Sequence, residues 1–345
     1  MFHRILAALL LLALFAAPPG LAQTSIHLAH GQPQDSSVDP AAAAASQFRR
    51  SLDELSGGTL KAAIFPDGQL GGNRDMAGLV AKGVLHSALV TVGGLAPLYP
   101  LAAVTGMPFA LDRPQAAYAL YDGEFGRMLA ADIEARTGLV VLGFADAGGM
   151  HVLTNSRRPI REPADMVGLK IRTIPGYEAL DAMIRALGAQ PVKVSSREEF
   201  QALEMGVIDG QMNPPSVVLG RRYHHVQSYA TLTSHLYSPY VWIYNRAAFE
   251  KLSPAEQQAV RDAARRAVAA GRDLTGQLDH SERGSDGLSR RLTVQPLTVE
   301  ARQAFKAATQ DKVAEVLTTR LGEDGTRMLA EFMRAAAKAN ADSAP

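Results

Sequence analysis

The chain has 345 residues, of which 47% are hydrophobic and 20% charged, so it is long and apolar enough to bury a substantial core. Its 35 basic and 34 acidic residues give a net charge of +1, which excludes the broad positive field that holds a nucleic-acid backbone. With no cysteine, the chain cannot form disulfide scaffolds, thiolate metal centres or cysteine nucleophiles.

The first 22 residues have the composition of an export signal. His3 and Arg4 precede an apolar run over residues 5–17, and a Pro-Pro pair ends that run. An uncleaved membrane anchor is the alternative, but the run is shorter than the roughly 20 apolar residues that span a bilayer. The sequence therefore predicts a signal peptide over residues 1–22, cleavage after Ala22 and a periplasmic protein.

Strand and helix patterns then alternate, as they do in an α/β protein. The patterns form one unit up to about residue 148 and a second unit after it. An aromatic strand over 237–244 would return the chain to the first unit, which predicts two lobes with a cleft between them. The predicted strands are 26–29, 60–65, 87–92, 139–145, 151–155, 169–173, 190–194, 207–211 and 237–244.

Several helices are marked by their ends. Pro40–Leu55 begins with proline and carries an alanine run, and a capping box at Ser253 opens a helix that runs past Asp279. The latter is long enough to span both lobes. Thr298 begins another helix, and residues 327–339 are predicted to form a surface helix. The remaining predicted helices are 71–81, 114–136, 177–187 and 196–205.

Enzyme signatures are missing from the sequence. It contains no nucleophile elbow, zinc-hydrolase or phosphate-loop motif. The pairs His27 with His30 and His224 with His225 lack the spacing that places two imidazoles on one helix face. We therefore predict no catalytic residues, no metal site and no cofactor.

Two segments carry a resemblance to a known family. Residues 168–173 read Gly-Leu-Lys-Ile-Arg-Thr, and residues 207–214 read Val-Ile-Asp-Gly-Gln-Met-Asn-Pro. Together with residues 65–72 and 154–160, they resemble the DctP-type solute-binding proteins of tripartite ATP-independent periplasmic (TRAP) transporters. Order and spacing match over residues 27–270.

The resemblance implies an α/β two-lobe periplasmic binding protein, type II-like, with a central ligand cleft and a long lobe-spanning helix. Lobe I would comprise residues 23–148 and 238–276, and lobe II residues 149–237 and 277–318, followed by a C-terminal helical segment over 319–345. Such a protein closes on a small organic acid and delivers it to the small and large membrane subunits of a sodium-driven TRAP permease. It binds no nucleic acid and is usually a monomer, although dimers occur.

Arg172 and Asn213 are the foremost ligand-binding candidates. In the family, the arginine of the Lys-Ile-Arg strand forms a two-point salt bridge with the ligand carboxylate. The sequence supports this role independently of the resemblance, because strand ends in α/β lobes face the ligand crevice. A guanidinium can also form two parallel hydrogen bonds to one carboxylate. Asn213 would donate an amide N–H to the carboxylate or to a hydroxyl of the ligand, although an Asn before proline can simply shape a turn.

Other candidate contacts come from family positions. Asn73 and Thr91 occupy places where some members contact their ligands. His151 stands where many members carry a second arginine, and this lost cation favours a monocarboxylate ligand. A His151 pKa near neutrality would make binding pH-sensitive.

Aromatic side chains are a further group of candidates. Tyr240 and Trp242 share one face of the aromatic strand, as ligand wall or as core packing. Tyr177, just past Arg172, is another possible contact.

The sequence leaves two other functional classes open. A sensor that docks on a signalling receptor would use the same cleft, and an α/β enzyme would need a nucleophile and base that no motif supplies.

Overall fold

The computed structural model describes residues 23–343, which form two β-sheets with helices packed against them. The strands are β1 Thr24–Ala29, β2 Leu60–Phe65, β3 Ser87–Thr91, β4 Leu139–Ala145, β5 Val152–Asn155, β6 Lys170–Thr173, β7 Gln190–Lys193, β8 Gly210–Asn213, β9 Tyr229–Leu232, β10 Tyr240–Asn245 and β11 Thr293–Pro296. The first sheet has the order β2-β1-β3-β10-β4, and the second has the order β11-β9-β5-β8-β6-β7.

Helices connect most of these strands. They are α1 Pro40–Leu55, α2 Asn73–Ala81, α3 Val92–Leu95, α4 Pro114–Asp122, α5 Glu124–Thr137, α6 Glu178–Ala186, α7 Glu199–Glu204, α8 Pro215–Gly220, α9 Arg246–Glu250, α10 Pro254–Asp279, α11 Ser285–Ser289 and α12 Val299–Asp342. Short 3₁₀ segments occupy Pro100–Gly106, Pro163–Met166 and Tyr223–His225.

Strand β10 returns the chain to the first sheet, as the aromatic run predicted. It lies antiparallel between β3 and β4, with Tyr240 opposite both Thr91 and Ala145. All six of its residues are buried. A strand with a neighbour on each side and packing on both faces is apolar throughout, which explains the aromatic composition.

One helix of the first α/β unit and one edge of the second sheet differ from the prediction. The helix predicted over 114–136 is two helices, because the backbone is extended at Gly123, with ψ −161°. Strands β9 and β11 were not predicted; each has four residues, too few to show a clear alternation, and they pair in parallel at one edge of the second sheet.

The two longest helices differ in what they contact. Helix α10, of 26 residues, starts at the predicted capping box and packs along α1, so closely that a Cβ on Gly271 would lie 3.0 Å from the Pro40 carbonyl oxygen. Helix α12 makes ion pairs beside both sheets, through Arg320 with Glu178 of α6 and through Asp324 with Arg136 of α5. Helix α12 is therefore joined by ion pairs to one helix beside each sheet.

The C-terminal region also departs from expectation. Helix α12 begins at the predicted Thr298 cap and continues past residue 319, with a break at Gly322, where φ is 65°. Residues 327–339 were predicted to form a surface helix, but Leu329, Phe332 and Ala336 are buried against the core. This segment is part of the packed structure.

The predicted signal peptide, residues 1–22, lies outside the described residues, and so does its cleavage site. Across residues 23–343, none of the helices combines the length and the apolar composition needed to cross a membrane. The first sheet takes its strands from residues 24–145 and 240–245, and the second from residues 152–232 and 293–296. The lobe boundaries given above stay a prediction.

Candidate ligand-binding site

A cavity of about 280 Å³ lies where strands of both sheets end. Thr91 at the end of β3 lines one side, and Arg172 and Asn213 of β6 and β8 line the other. The carboxyl ends of strands are where open α/β sheets place their ligands. Its polar lining consists of Gln32, Asn73, Arg74, Asp75, Thr91, His151, Arg172, Tyr177, Ser195, Ser196, Glu199, Asn213, Arg221, Ser238 and Tyr240.

Arg172 is the buried cation of this cavity. It is the third residue of β6, and only 4% of its surface is exposed. Its Nε donates a hydrogen bond of 3.0 Å to the Val194 carbonyl oxygen, which fixes the guanidinium plane. Its Nη1 lies 3.6 Å from Oε2 of Glu199, so the positive charge has a carboxylate neighbour within the protein.

Glu199 was not predicted as a site residue. It is 1% exposed and accepts hydrogen bonds from Asn213 Nδ2 at 2.9 Å and from the Tyr223 hydroxyl at 2.9 Å. The sequence shows only a Glu-Glu pair at the start of a helix. Which of the two acids is buried depends on how α7 packs, because Glu198 is exposed and bonds to Ser195 instead.

Asn73 and Thr91, the predicted first-lobe contacts, lie side by side in the cavity wall. The backbone N–H of Thr91 donates to Asn73 Oδ1 at 3.1 Å, while the Thr91 hydroxyl accepts from Gly94 N–H and caps α3. The Thr91 hydroxyl oxygen is therefore engaged in the fold. Asn73 uses its carbonyl in the same way and keeps its amide N–H groups for other partners.

His151 and Tyr177 also line the cavity, as predicted. Removal of water from around the His151 ring, and secondarily the positive charge of Arg172, lower its pKa to about 4. The predicted pKa near neutrality is therefore wrong. Tyr177 packs so tightly against the 3₁₀ segment that a Cβ on Gly106 would lie 2.6 Å from its ring.

Tyr240 and Trp242 take different positions. Tyr240 lines the cavity, and its hydroxyl accepts a hydrogen bond of 2.6 Å from Gln32 Nε2. Trp242 is fully buried beside Phe48 of α1, at 5.1 Å between ring centroids, and its Nε1 donates to Ser87 Oγ. The expectation that Trp242 contacts ligand is corrected. Residues two apart share a face of a strand, but only the residue at the strand end reaches the cavity.

Gln32 and Arg221 are further cavity residues that sequence reasoning missed. Arg221 Nη2 donates to Gln32 Oε1 at 2.8 Å and Nη1 donates to the Ser196 carbonyl at 3.2 Å. Gln32 follows β1 of the first sheet, whereas Ser196 follows β7 of the second. Arg221 thus connects both sides of the cavity across a sequence separation of 189 residues, for which no local pattern exists.

The family model described as bacterial extracellular solute-binding protein, family 7 (DctP), matches residues 31–319. The chain belongs to this family. It is a TRAP-type solute-binding protein, not an enzyme, and family members act outside the cytoplasm, bind small organic acids and work with membrane permease subunits.

Relatives of known ligand differ in what they bind. The 2,3-diketo-L-gulonate-binding periplasmic protein YiaO of Escherichia coli is 33% identical over 82% of this chain and 84% of its own. A sugar acid binding protein of Advenella mimigardefordensis, solved with galactonate, is 27% identical with a TM-score of 0.82 over 92% of this chain and 99% of its own. A TRAP binding protein of Sulfurospirillum deleyianum, solved with succinate, is 26% identical with a TM-score of 0.79 over 90% and 99%.

Proposed function

We propose that the protein captures a small monocarboxylate through a salt bridge to Arg172. The observation that carries the proposal is the guanidinium itself, 4% exposed, at the wall of a cavity and anchored through Nε by the Val194 carbonyl. A planar guanidinium held in this way keeps donors for a two-point bond to a carboxylate. A volume of about 280 Å³ is at the small end for ligand sites, which suits a small acid.

The charges of the lining support one carboxylate on the ligand. Arg74, Arg172 and Arg221 face two acids, Asp75 and Glu199, which leaves a formal excess of one positive charge. His151 adds no charge at neutral pH because its pKa is about 4. One ligand carboxylate would balance the site, whereas a second would enter a cavity without a matching cation.

A hydroxylated acid fits the remaining lining best. Amides and hydroxyls of Asn73, Ser195, Ser196 and Ser238 can exchange hydrogen bonds with several hydroxyl groups. The galactonate and 2,3-diketo-L-gulonate bound by relatives are monocarboxylates of this kind. We therefore propose sugar acids as the ligand class, with Asn73, His151, Tyr177, Asn213 and Tyr240 as further contacts.

Closure of two lobes on the acid is part of the proposal. The lobes would be residues 23–148 with 238–276, and 149–237 with 277–318. The ligand would stabilise the closed form through contacts that both lobes make with it.

A thermal-shift and calorimetric panel tests the ligand class. Galactonate, gluconate, lactate, succinate and an uncharged sugar cover the alternatives. A ligand at 100 times its dissociation constant adds about 2.7 kcal/mol to the stability, which raises the midpoint by several degrees. We expect sugar acids to shift the midpoint; a panel in which only succinate binds would reject the monocarboxylate.

Arg172 variants test the salt bridge. Arg172→Lys keeps the positive charge beside Glu199 but loses the planar fork, and should weaken binding about 10- to 100-fold. Arg185→Ala, an exposed arginine on α6, is the control and should bind normally. Binding by Arg172→Lys within two-fold of wild type would reject the assignment.

We further propose that the acid passes to a sodium-driven permease. Uptake by vesicles that carry the two membrane subunits should require both this protein and an inward sodium gradient. Uptake that persists after the gradient is dissipated would reject sodium coupling.

A further inference from the structure

We infer that Asn213 presents its carbonyl oxygen to the ligand, so the site selects acids with a hydroxyl on the carbon next to the carboxylate. The inference rests on the proposed function and deepens it. It also reverses the expectation that Asn213 donates a hydrogen bond to the ligand.

Both hydrogens of the Asn213 amide nitrogen are engaged within the protein. Nδ2 donates to Glu199 Oε1 at 2.9 Å and to Gln211 Oε1. A side-chain amide has two N–H donors and one carbonyl acceptor. With the donors in use, what Asn213 can offer a ligand is Oδ1, which accepts no hydrogen bond from residues 23–343 and is not fully buried.

A buried relay fixes this orientation. Gln227 Nε2 donates to the backbone carbonyls of Asp209 and Val226, so its Oε1 must accept, and it accepts from the Thr154 hydroxyl at 2.9 Å. Thr154 Oγ1 in turn accepts from Gln211 Nε2 at 2.8 Å.

The end of the relay determines Asn213. Because Gln211 Nε2 is the donor to Thr154, Gln211 Oε1 is the acceptor that faces Asn213. Thr154, Gln211 and Gln227 are 0%, 0% and 5% exposed, so bulk water does not reach these side chains. Turning the Asn213 amide over would set its oxygen against two acceptors, Gln211 Oε1 and a Glu199 carboxylate oxygen, and would lose both hydrogen bonds.

Glu199 places this acceptor next to the carboxylate site. One of its oxygens is 3.6 Å from Arg172 Nη1, and the other is 2.9 Å from Asn213 Nδ2. Arg172 and Asn213 therefore lie on either side of the Glu199 carboxylate group. We therefore place the second carbon of an acid bound to Arg172 beside Asn213 Oδ1, where a hydroxyl can donate and a methylene cannot.

Matched pairs of acids test the inference in the wild-type protein. The pairs are lactate with propionate, glycerate with 3-hydroxypropionate, and galactonate with its 2-deoxy analogue, measured by calorimetry at pH 7. We expect the 2-hydroxy member to bind at least about ten-fold more tightly, because a site built to bond a hydroxyl discriminates strongly against its loss. Equal affinities within any pair that binds would overturn the inference and leave the proposed function standing. No binding by any acid would overturn both.

The Asn213→Leu variant distinguishes two roles for Asn213: an acceptor for the ligand hydroxyl and a donor to the ligand carboxylate. Leucine has the same branched shape but lacks Oδ1 as well as the N–H bonds to Glu199 and Gln211, so both acids are expected to lose affinity. The 2-hydroxy acid should lose about ten-fold more than the 2-deoxy acid. An equal loss for both members would leave the wild-type preference unchanged and would overturn the inference. Circular dichroism and the thermal midpoint verify folding, and the wild-type pairs decide the question if this variant does not fold.

Discussion

Arg172 and Glu199 form a buried ion pair at the cavity, with Nη1 3.6 Å from Oε2 and both side chains at most 5% exposed. The acid compensates the guanidinium in the absence of ligand, since an unpaired buried charge is costly. It also repels a second carboxylate that approaches the same arginine. The pair therefore affects both the stability of the protein and its selectivity.

Glu199→Gln should strengthen the binding of monocarboxylates about ten-fold, or about 1.4 kcal/mol, because the ligand no longer competes with a like charge for Arg172. The thermal midpoint of the unliganded protein should fall, since Arg172 loses its buried partner. Calorimetry and differential scanning measure the two effects. Glu198→Gln, which alters the exposed neighbour, should change neither. Weaker binding by Glu199→Gln would contradict the argument.

Ligand affinity should be constant from about pH 5.5 to 8, because His151 has a pKa of about 4 and stays neutral in this range. Stability should vary instead. The unfolded chain takes up a proton on this histidine near pH 6.5, before the folded protein does, so stability falls as the pH drops from 6.5 toward 4. The loss from His151 is about 3 kcal/mol.

His235 contributes a further loss of stability at low pH. Its ring centroid lies 6.0 Å from that of His151, and burial lowers its pKa well below 6.5. Denaturant titrations at several pH values measure the loss. A His151→Gln variant should show a shallower decline. A ligand affinity that changes several-fold between pH 6 and 8 would refute the prediction that affinity is constant with pH.

Trp242→Phe should lower the thermal midpoint by several degrees and leave ligand affinity within two-fold. The indole is fully buried and loses both volume and its bond to Ser87 Oγ, together about 1 to 3 kcal/mol. Since the chain has one tryptophan, affinity is best measured by calorimetry, not fluorescence. Tyr240→Phe is the matched variant in the cavity wall. It should weaken binding because it removes the hydroxyl that accepts a hydrogen bond from Gln32. The reverse pattern would place Trp242 in the site.

Arg221→Ala should increase the rate of ligand dissociation about ten-fold. Its hydrogen bonds to Gln32 Oε1 and to the Ser196 carbonyl join the two sides of the cavity, so their loss favours an open form. Stopped-flow displacement of a bound sugar acid measures the rate. Arg185→Ala, which removes an exposed arginine from α6, is the control. An unchanged dissociation rate would show that Arg221 does not hold the cavity closed.

Local patterns were sufficient for most of the fold. The capping residues Ser253 and Thr298 and the apolar run of β10 act over a few neighbouring residues. The predicted helix starts therefore agree with the structure, and the strand predicted over 237–244 overlaps β10, which begins at Tyr240. The extended backbone at Gly123 was not predicted, because glycine is compatible with a continuing helix as well as with a break.

The sequence by itself determined the two α/β units, the family and the placement of Arg172 at a strand end, because each follows from short-range periodicity or from a contiguous motif. Tertiary structure alone decided that Glu199, not Glu198, is buried beside Arg172, and that Arg221 reaches Gln32. It also decided the orientation of the Asn213 amide, which follows from a relay that joins three separate segments. Such roles depend on distances between residues far apart in the chain, and no local pattern encodes them.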